Sequence, residues 1–247
     1  MPVDDADTKP LTRRERLRRQ TVDEIVERAL ELVDAAGAHG LSLSSVGKAM
    51  GMTPPALYHY FASREALLDA LVVAGYTDLG AAVEAAAQDA ADRPAPDRVA
   101  AIAHAWRRWA LDHPRRYSML FTGSRRETVN PLESVSTINQ SMLALVTTIQ
   151  EITPGGAAPR GTSISTRADG GSPGAGAGLA EELARWGQSL GAPAGTAQQA
   201  LRFALSAWYR VHGLVSLEIV GAFDSMGLDG GSLLTAEIES LVSEAGR

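Results

Sequence analysis

The sequence predicts an all-α protein, with a three-helix N-terminal domain followed by a larger helical domain. Apolar residues recur every three or four positions in successive windows, which is the period of helices with one buried face. Glycine and proline clusters separate these windows, and no segment shows the convincing alternation expected of a half-buried strand. With 247 residues, 45% of them hydrophobic, the chain can form one large domain or two small ones.

The first three helices are delimited by clear start and stop residues. The first helix carries an apolar stripe at helical spacing, formed by Val22, Ile25, Val26, Ala29, Leu30 and Val33. It should end near Gly37, and a short second helix should run from about Ser42–Ser45 to Gly51. Thr53 is typical of an N-cap that precedes proline, so a third helix is expected over 54–61.

Two short helices joined by a glycine-containing turn and braced by a longer helix are typical of a helix-turn-helix. We expect this domain at residues 17–63, with Ser63 as the N-cap of a fourth helix. The third helix should expose Pro55, Ala56, His59 and one or both of Tyr58 and Tyr60, and such side chains suit a phosphate-lined groove. Periodicity alone is equally compatible with an ordinary three-helix bundle.

The remaining windows predict a helical domain over residues 64–247. Helices are expected within the ranges 64–91, 99–110, 117–121, 132–152, 179–190, 196–223 and 233–241. Residues 153–178 differ, because they hold eight glycines and three prolines, and Ile164 is their only large apolar side chain. This composition predicts a disordered insertion. Its Gly-x-Ser-x-Gly match at 170–174 lacks the preceding strand that a catalytic serine requires.

Composition excludes several classes of protein. The chain has no cysteine, which excludes disulfides, thiolate zinc sites, iron–sulfur clusters and a cysteine nucleophile. Its five histidines show no metal-binding spacing, so we expect neither a metal site nor a cofactor. No uninterrupted apolar run approaches the roughly 18 residues of a membrane span, and the N-terminus lacks a signal-peptide core. A soluble, cytoplasmic protein is expected.

Charge is distributed unevenly along the chain. The net charge is −6, yet residues 1–64 carry nine basic and nine acidic side chains. Lys9 to Arg19 holds six cations against the single acid Glu15. We interpret residues 1–16 as a disordered basic arm, which could contact a phosphate backbone or be a solvated tail. Charge alone favours the tail.

Residues 18–72 resemble the DNA-binding domain of the tetracycline-repressor (TetR) family of bacterial transcription regulators. The resemblance is carried by Gly51, by Leu57-Tyr58, by the aromatic pair ending in Phe61 and by Ser63-Arg64-Glu65. It implies that residues 54–60 form the recognition helix in the major groove. It also implies that Tyr58 and Arg64 contact phosphates, while Ser44 and Thr53 donate hydroxyl hydrogen bonds to the DNA backbone.

For base reading the resemblance points to Pro55, Ala56 and His59. Family members often have histidine where this chain has Tyr60, so the role of Tyr60 is open. The segment Trp208-Tyr-Arg-Val-His-Gly213 resembles the Trp-His-Gly signature of one C-terminal domain type in the family. That likeness implies a domain for ligand binding and dimerisation. Its candidate ligand-cavity residues are Trp106, Trp109, Tyr117, Phe121, Met142, Trp186, Phe203, Trp208 and His212. Each of these could equally be an ordinary core residue.

Three functional hypotheses follow. The first is a homodimeric, ligand-responsive repressor that a small molecule releases from an inverted-repeat DNA operator. The second is a DNA-binding regulator that responds to a protein partner. The third is an enzyme that uses the helical cavity, which is disfavoured because no nucleophile–base pair or metal cluster is visible in the sequence.

Overall fold

The computed structural model describes residues 12–121, 136–153 and 175–247. Within these ranges every regular element is helical, which confirms the all-α prediction. The elements are α1 (Arg13–Ala36), a 3-10 turn (Ala38–Gly40), α2 (Leu43–Met50), α3 (Pro54–Tyr58), α4 (Arg64–Asp89), α5 (Ala95–Asp112), α6 (Pro114–Phe121), α7 (Ser136–Ile152), α8 (Ala175–Ser189), α9 (Gln198–Ile219), α10 (Ala222–Met226) and α11 (Gly230–Ala245).

The chain divides into two compact units, and the division lies elsewhere than residue 63. α4 is one continuous helix, and the first unit extends through it as far as Gly75. The stretch from Arg115 to the end of α6 also belongs to the first unit. The second unit begins at Tyr76 and includes α5, α7, α8, α9, α10 and α11. Leu68 and Leu71 explain the extension of the first unit, because both are buried in its core.

The first unit is a helix-turn-helix held by a buried apolar cluster. Ile25 and Val33 of α1, Val46 of α2 and Leu57 of α3 are completely buried in this cluster. Leu67 of α4 is also completely buried there. The predicted stripes therefore face one another, and the outer faces of α2 and α3 are left for solvent.

The turn between α2 and α3 is tight for two reasons. Gly51 ends α2 in the left-handed conformation, with a φ of 67°. The Met52 N–H donates to the Gly47 carbonyl across 2.8 Å, and a Cβ on Gly47 would lie 3.1 Å from the Met52 carbonyl oxygen. A side chain at Gly47 would therefore press on the Met52 carbonyl, and a side chain at Gly51 would be strained by the positive φ.

α1 begins at Arg13, which corrects the prediction that residues 1–16 are disordered. The Thr12 hydroxyl accepts from the Glu15 N–H at 3.3 Å, and the Glu15 carboxylate accepts from the Thr12 N–H at 2.7 Å. This capping box satisfies helix donors and extends α1 into the cationic stretch. Residues 1–11 lie outside the described residues.

Three other predicted boundaries are also wrong. α3 ends at Tyr58, because the Tyr60 N–H turns back to the Leu57 carbonyl at 2.9 Å. The helix predicted over 196–223 is interrupted at Gly221, which has a φ of 74°. α8 begins at Ala175, so helix replaces the last part of the predicted insertion. The rest of that insertion, including the Gly-x-Ser-x-Gly match, lies outside the described residues.

The second unit packs α5, α7, α9 and α11 against one another. Its buried side chains include Val99, Ile149, Val215 and Leu234. α4 supplies Leu79 and Val83, both almost fully buried. Arg107 of α5 forms a bidentate ion pair with Glu218 of α9, with N–O distances of 2.7 and 2.5 Å. This pair fixes α5 against α9 at the edge of the unit.

α4 is the one described helix that is long and apolar enough to cross a membrane by those two criteria. Its most apolar window has a mean hydropathy of 1.5, and half of that window is buried inside the protein. The first half of α4 contributes to the core of the first unit, and Leu79 and Val83 are buried in the second. Such burial is typical of the central helix of a globular protein.

We predict that Gly51→Ala lowers the free energy of unfolding by about 1 kcal/mol, because alanine is strained in the left-handed region. Urea titration followed by circular dichroism measures this change. Gly40→Ala is the matched control, because a Cβ at Gly40 meets nothing within 4 Å and its φ is not positive. Equal stabilities of the two variants would contradict the role assigned to Gly51.

Candidate nucleic-acid interface and internal cavity

The outer face of α3, with its C-cap residue His59, carries four of the eight residues predicted to contact DNA. Tyr58 is 57% exposed, and Pro55 and His59 are also exposed. Ala56 is half-buried. Leu57, in contrast, is completely buried and anchors the helix to the core. α3 therefore presents one imidazole, one phenol and small apolar groups to solvent, with no acidic side chain.

α2 adds a polar face next to the turn. Ser44 is exposed, as predicted, and Lys48 is exposed four residues later on the same face. Sequence reasoning missed Lys48, although its spacing from Ser44 and its position away from Leu43 and Val46 could have identified it. Thr53 is the exposed N-cap of α3, and its side chain makes no capping hydrogen bond. Its hydroxyl can therefore donate outward.

The basic N-terminal half of α1 lies beside the end of α3. Arg18 donates a hydrogen bond to the His59 carbonyl at 3.3 Å, and its guanidinium lies 5.5 Å from the centre of the Tyr60 ring. The Tyr60 ring in turn meets the His59 ring edge-to-face at 5.8 Å. Arg13 and Arg14 line the same shallow concavity as these rings. Tyr60 is therefore half-buried against Arg18, a partner that the sequence did not indicate.

The charges of this face are strongly biased towards cations. Arg13, Arg14 and Arg19 are exposed on α1. The single acid of the stretch, Glu15, is held in the capping box, where hydrogen bonds from the Thr12 N–H and hydroxyl lower the pKa of its carboxyl group. The result is a positive helix end next to an exposed α3, a combination that attracts a phosphate backbone.

Arg64 anchors the loop that precedes α2. Its Nε donates to the Leu41 carbonyl at 2.7 Å, and its Nη2 donates to the Ala38 carbonyl at 2.8 Å. The side chain is half-buried. The sequence assigned Arg64 to a phosphate, whereas these two bonds give it a structural task. Only folding brings Arg64 close to Ala38, 26 residues earlier, so no local pattern could indicate this contact.

The second unit contains a cavity of about 480 Å³. Its walls come from α4, α5, α7, α8, α9 and α11. Four of the nine predicted ligand residues line it, namely Trp106, Met142, Trp186 and Trp208. Sequence reasoning missed the aliphatic and polar wall residues, such as Val83, Leu205, Asn139 and Ser141, because similar residues also occur throughout the core.

The other five predicted ligand residues do not line this cavity. Trp109 is buried and donates from its indole N–H to the Asp78 carboxylate at 3.0 Å. Tyr117 and Phe121 belong to the first unit, where their rings pack 4.8 Å apart. His212 stacks on Trp208 at 5.4 Å, and burial lowers the pKa of its imidazole. Helical spacing alone could not separate these residues from Trp106 and Trp208. Phe203 is likewise absent from the described lining.

A second exposed feature is the outward face of α9. Tyr209, Gly213, Leu217 and Val220 follow one another at helical spacing, and all four are exposed. Val220 is 74% and Leu217 is 49% exposed. Arg210 lies beside this stripe and pairs with Glu237 of α11 at 2.8 Å. An apolar stripe on a helix end is a typical protein–protein contact surface.

Two family models together match most of this fold. Residues 25–71 match the model described as bacterial regulatory proteins of the tetR family, and residues 99–241 match a tetracyclin repressor-like C-terminal domain. The first match covers the helix-turn-helix. The second covers the helices that carry most of the cavity wall. Among the residues that the structure describes, no cluster of His, Cys, Asp or Glu could hold a metal ion.

Individual proteins show the same likeness. The HTH-type transcriptional regulator Rv1816 of Mycobacterium tuberculosis is 38% identical over 104 residues, which are 42% of this chain and 44% of that protein. YobS of Bacillus subtilis, an uncharacterized HTH-type transcriptional regulator, is 31% identical over 93 residues, which are 38% of this chain and 47% of that protein. The matched part of this chain thus spans a little under half the length of these curated relatives.

A solved structure extends the likeness over nearly the whole chain. The regulatory protein SCO4313 is 34% identical and superimposes with a TM-score of 0.69, covering 94% of this chain and 100% of that one. The helix-turn-helix, the helical second unit and both family models lead to one assignment. The chain belongs to the TetR family of DNA-binding bacterial transcription regulators.

Proposed function

We propose that the protein is a cytoplasmic, homodimeric repressor that binds an inverted-repeat operator and is released by a small molecule. The observation that carries this proposal is the exposed face of α3 beside the cationic end of α1. That face holds Tyr58 and His59 on a helix anchored by Leu57, with Arg18 braced against it. Protein–DNA contacts of this kind combine cations for phosphates with a few side chains for bases.

Dimer formation is supported by the apolar stripe on α9. An exposed row of Tyr209, Leu217 and Val220 has an energetic cost in water unless another surface covers it. A second copy of α9 would cover it about a two-fold axis, with α11 alongside. Two copies would present two recognition helices together, and half-sites about 10 base pairs apart would suit them.

The response to a small molecule is supported by the cavity in the second unit. Its volume of about 480 Å³ suits a small organic ligand. Leu79, Gly80 and Val83 of α4 form part of its wall, and α4 is the same helix whose first turn carries Arg64. A ligand that favours one position of α4 would change operator affinity by about 5- to 150-fold, the usual range of allosteric coupling. This cavity favours a small-molecule effector over a protein partner.

The DNA site can be tested by selecting bound fragments from the source genome. We expect an inverted repeat with half-sites about one helical turn apart. His59→Ala should relax the preference at one or two base positions, while Tyr58→Phe should weaken specific and random DNA alike. A selection that returns only single, non-palindromic motifs would contradict a two-fold dimer on the operator.

Replacing Arg64 by lysine separates its anchoring role from a phosphate contact. Lysine keeps the charge but cannot donate to the Leu41 and Ala38 carbonyls with the same geometry. We therefore expect the free energy of unfolding to fall by about 1 kcal/mol and operator affinity to fall with it. The slope of log affinity against log salt should not change in Arg64→Lys. If Arg64 contacts a phosphate instead, Arg64→Lys should bind normally and Arg64→Ala should lower the slope by about one unit.

Leu217→Glu should convert the dimer to monomers with weak operator binding, because it places a charge in the proposed interface. Losing the dimer removes the gain from presenting two half-sites jointly. Analytical ultracentrifugation and operator titration measure the two effects. Leu179→Glu is the matched control, since Leu179 is a similarly exposed leucine on α8, 42% against 49%. A folded Leu217→Glu dimer with normal binding would assign the interface to another face.

A further inference from the structure

The cavity in the second unit has an electrically neutral wall. Among the described residues that line it, none is Asp, Glu, Lys, Arg or His. Three indoles contribute to the wall, from Trp106, Trp186 and Trp208, and most of the other side chains are aliphatic. The wall offers dispersion contacts on several sides and no charge to a guest.

Four ionisable residues that are chain neighbours of wall residues already have partners within the protein. On α5, Arg98 pairs with the Glu151 carboxylate at 2.8 Å and Arg107 pairs with Glu218, so each cation already has its own carboxylate. Asp78 accepts the Trp109 N–H. His212 stacks on Trp208 and stays uncharged near pH 7, because burial lowers its pKa. A charged guest would lose its hydration and would not gain a counter-ion.

The described polar groups of the wall are few, and two of them lie on α7. Ser141 is buried and donates to the Gly80 carbonyl at 3.3 Å, so its hydroxyl proton is engaged within the protein. Asn139 contributes an amide that can both donate and accept. This amide suits one neutral polar group on the guest.

We infer that the cavity takes an uncharged, compact and largely apolar ligand with one hydroxyl- or amide-type group, and that it discriminates against carboxylates and ammonium ions of the same shape. The inference depends on the proposed function only for the claim that the ligand regulates DNA binding. Binding itself requires nothing beyond the cavity and its wall.

The test compares three rigid molecules of one shape and different charge: 1-adamantanol, 1-adamantanecarboxylate and 1-adamantanamine. Each is titrated into the full-length protein at pH 7 by calorimetry. We expect the alcohol to bind at least tenfold more tightly than either ion, since only the ions lose hydration without compensation. A carboxylate or an amine that binds as tightly as the alcohol would overturn the inference, as would the absence of binding by all three.

Two variants test whether the three probes bind in this cavity. Met142→Trp adds volume at a half-buried wall position and should abolish binding of the alcohol while the thermal midpoint is maintained. Ser189→Arg places a cation at an exposed wall position, and should strengthen carboxylate binding severalfold and leave the alcohol unchanged. Because Ser189 is exposed, this variant stays informative even if Met142→Trp fails to fold. Unchanged ligand preferences in folded Ser189→Arg would overturn the assignment of the ligand class to this cavity.

Operator binding is measured separately by fluorescence anisotropy, with and without the alcohol. Tight alcohol binding that leaves operator affinity unchanged would support the ligand class and contradict the proposed ligand response. A change in operator affinity produced equally by all three probes would contradict the ligand class and leave the proposed regulation standing. The two proposals therefore fail in different ways.

Discussion

The constraint on which the structure depends is the burial of α4 along most of its length. This helix of 26 residues is apolar on most of its surface, so water must be excluded from nearly every turn. Leu67 and Leu71 are buried in the core of the first unit, and Leu79 and Val83 are buried in the second. One helix thus contributes residues to both hydrophobic cores. It carries Arg64 at its start and part of the cavity wall further on.

In the first unit, hydrogen bonds among polar groups leave one face exposed to solvent. The capping boxes at Thr12 and Ser42 satisfy helix donors with short side chains, and Arg64 satisfies two carbonyls near the 3-10 turn. The Arg116 Nε–H in α6 donates to both carboxylate oxygens of Asp34 near the end of α1, each at 2.9 Å, and the Arg116 Nη2 lies 2.6 Å from Oδ2. None of these bonds involves a side chain of α3, so the outer face of α3 stays exposed.

The second unit differs from the first, because no charged side chain is among the described residues that line its cavity. Arg98 and Arg107 have apolar neighbours on α5 that line the cavity, yet both guanidiniums are directed to carboxylates on other helices. The Glu151 side chain is 53% exposed, so the Arg98–Glu151 pair contributes little to stability. These ion pairs have a larger effect on ligand specificity. Because the arginines are already paired, the cavity can recognise a ligand only by dispersion contacts and by a few neutral hydrogen-bonding groups.

Local patterns determined much of this protein. The stripe from Val22 to Val33, the stop at Gly51 and the exposed position of Tyr58 and His59 follow from spacing of three or four residues and from glycine geometry. Tertiary structure decided what depends on residues far apart in the chain. Arg64 meets Ala38, Trp109 meets Asp78 and Trp106 meets the cavity only after the helices have packed. Trp106 and Trp109 lie on neighbouring turns of one amphipathic helix, so their spacing could not tell which would face a cavity and which a carboxylate. That choice depends on the shape of the facing helices.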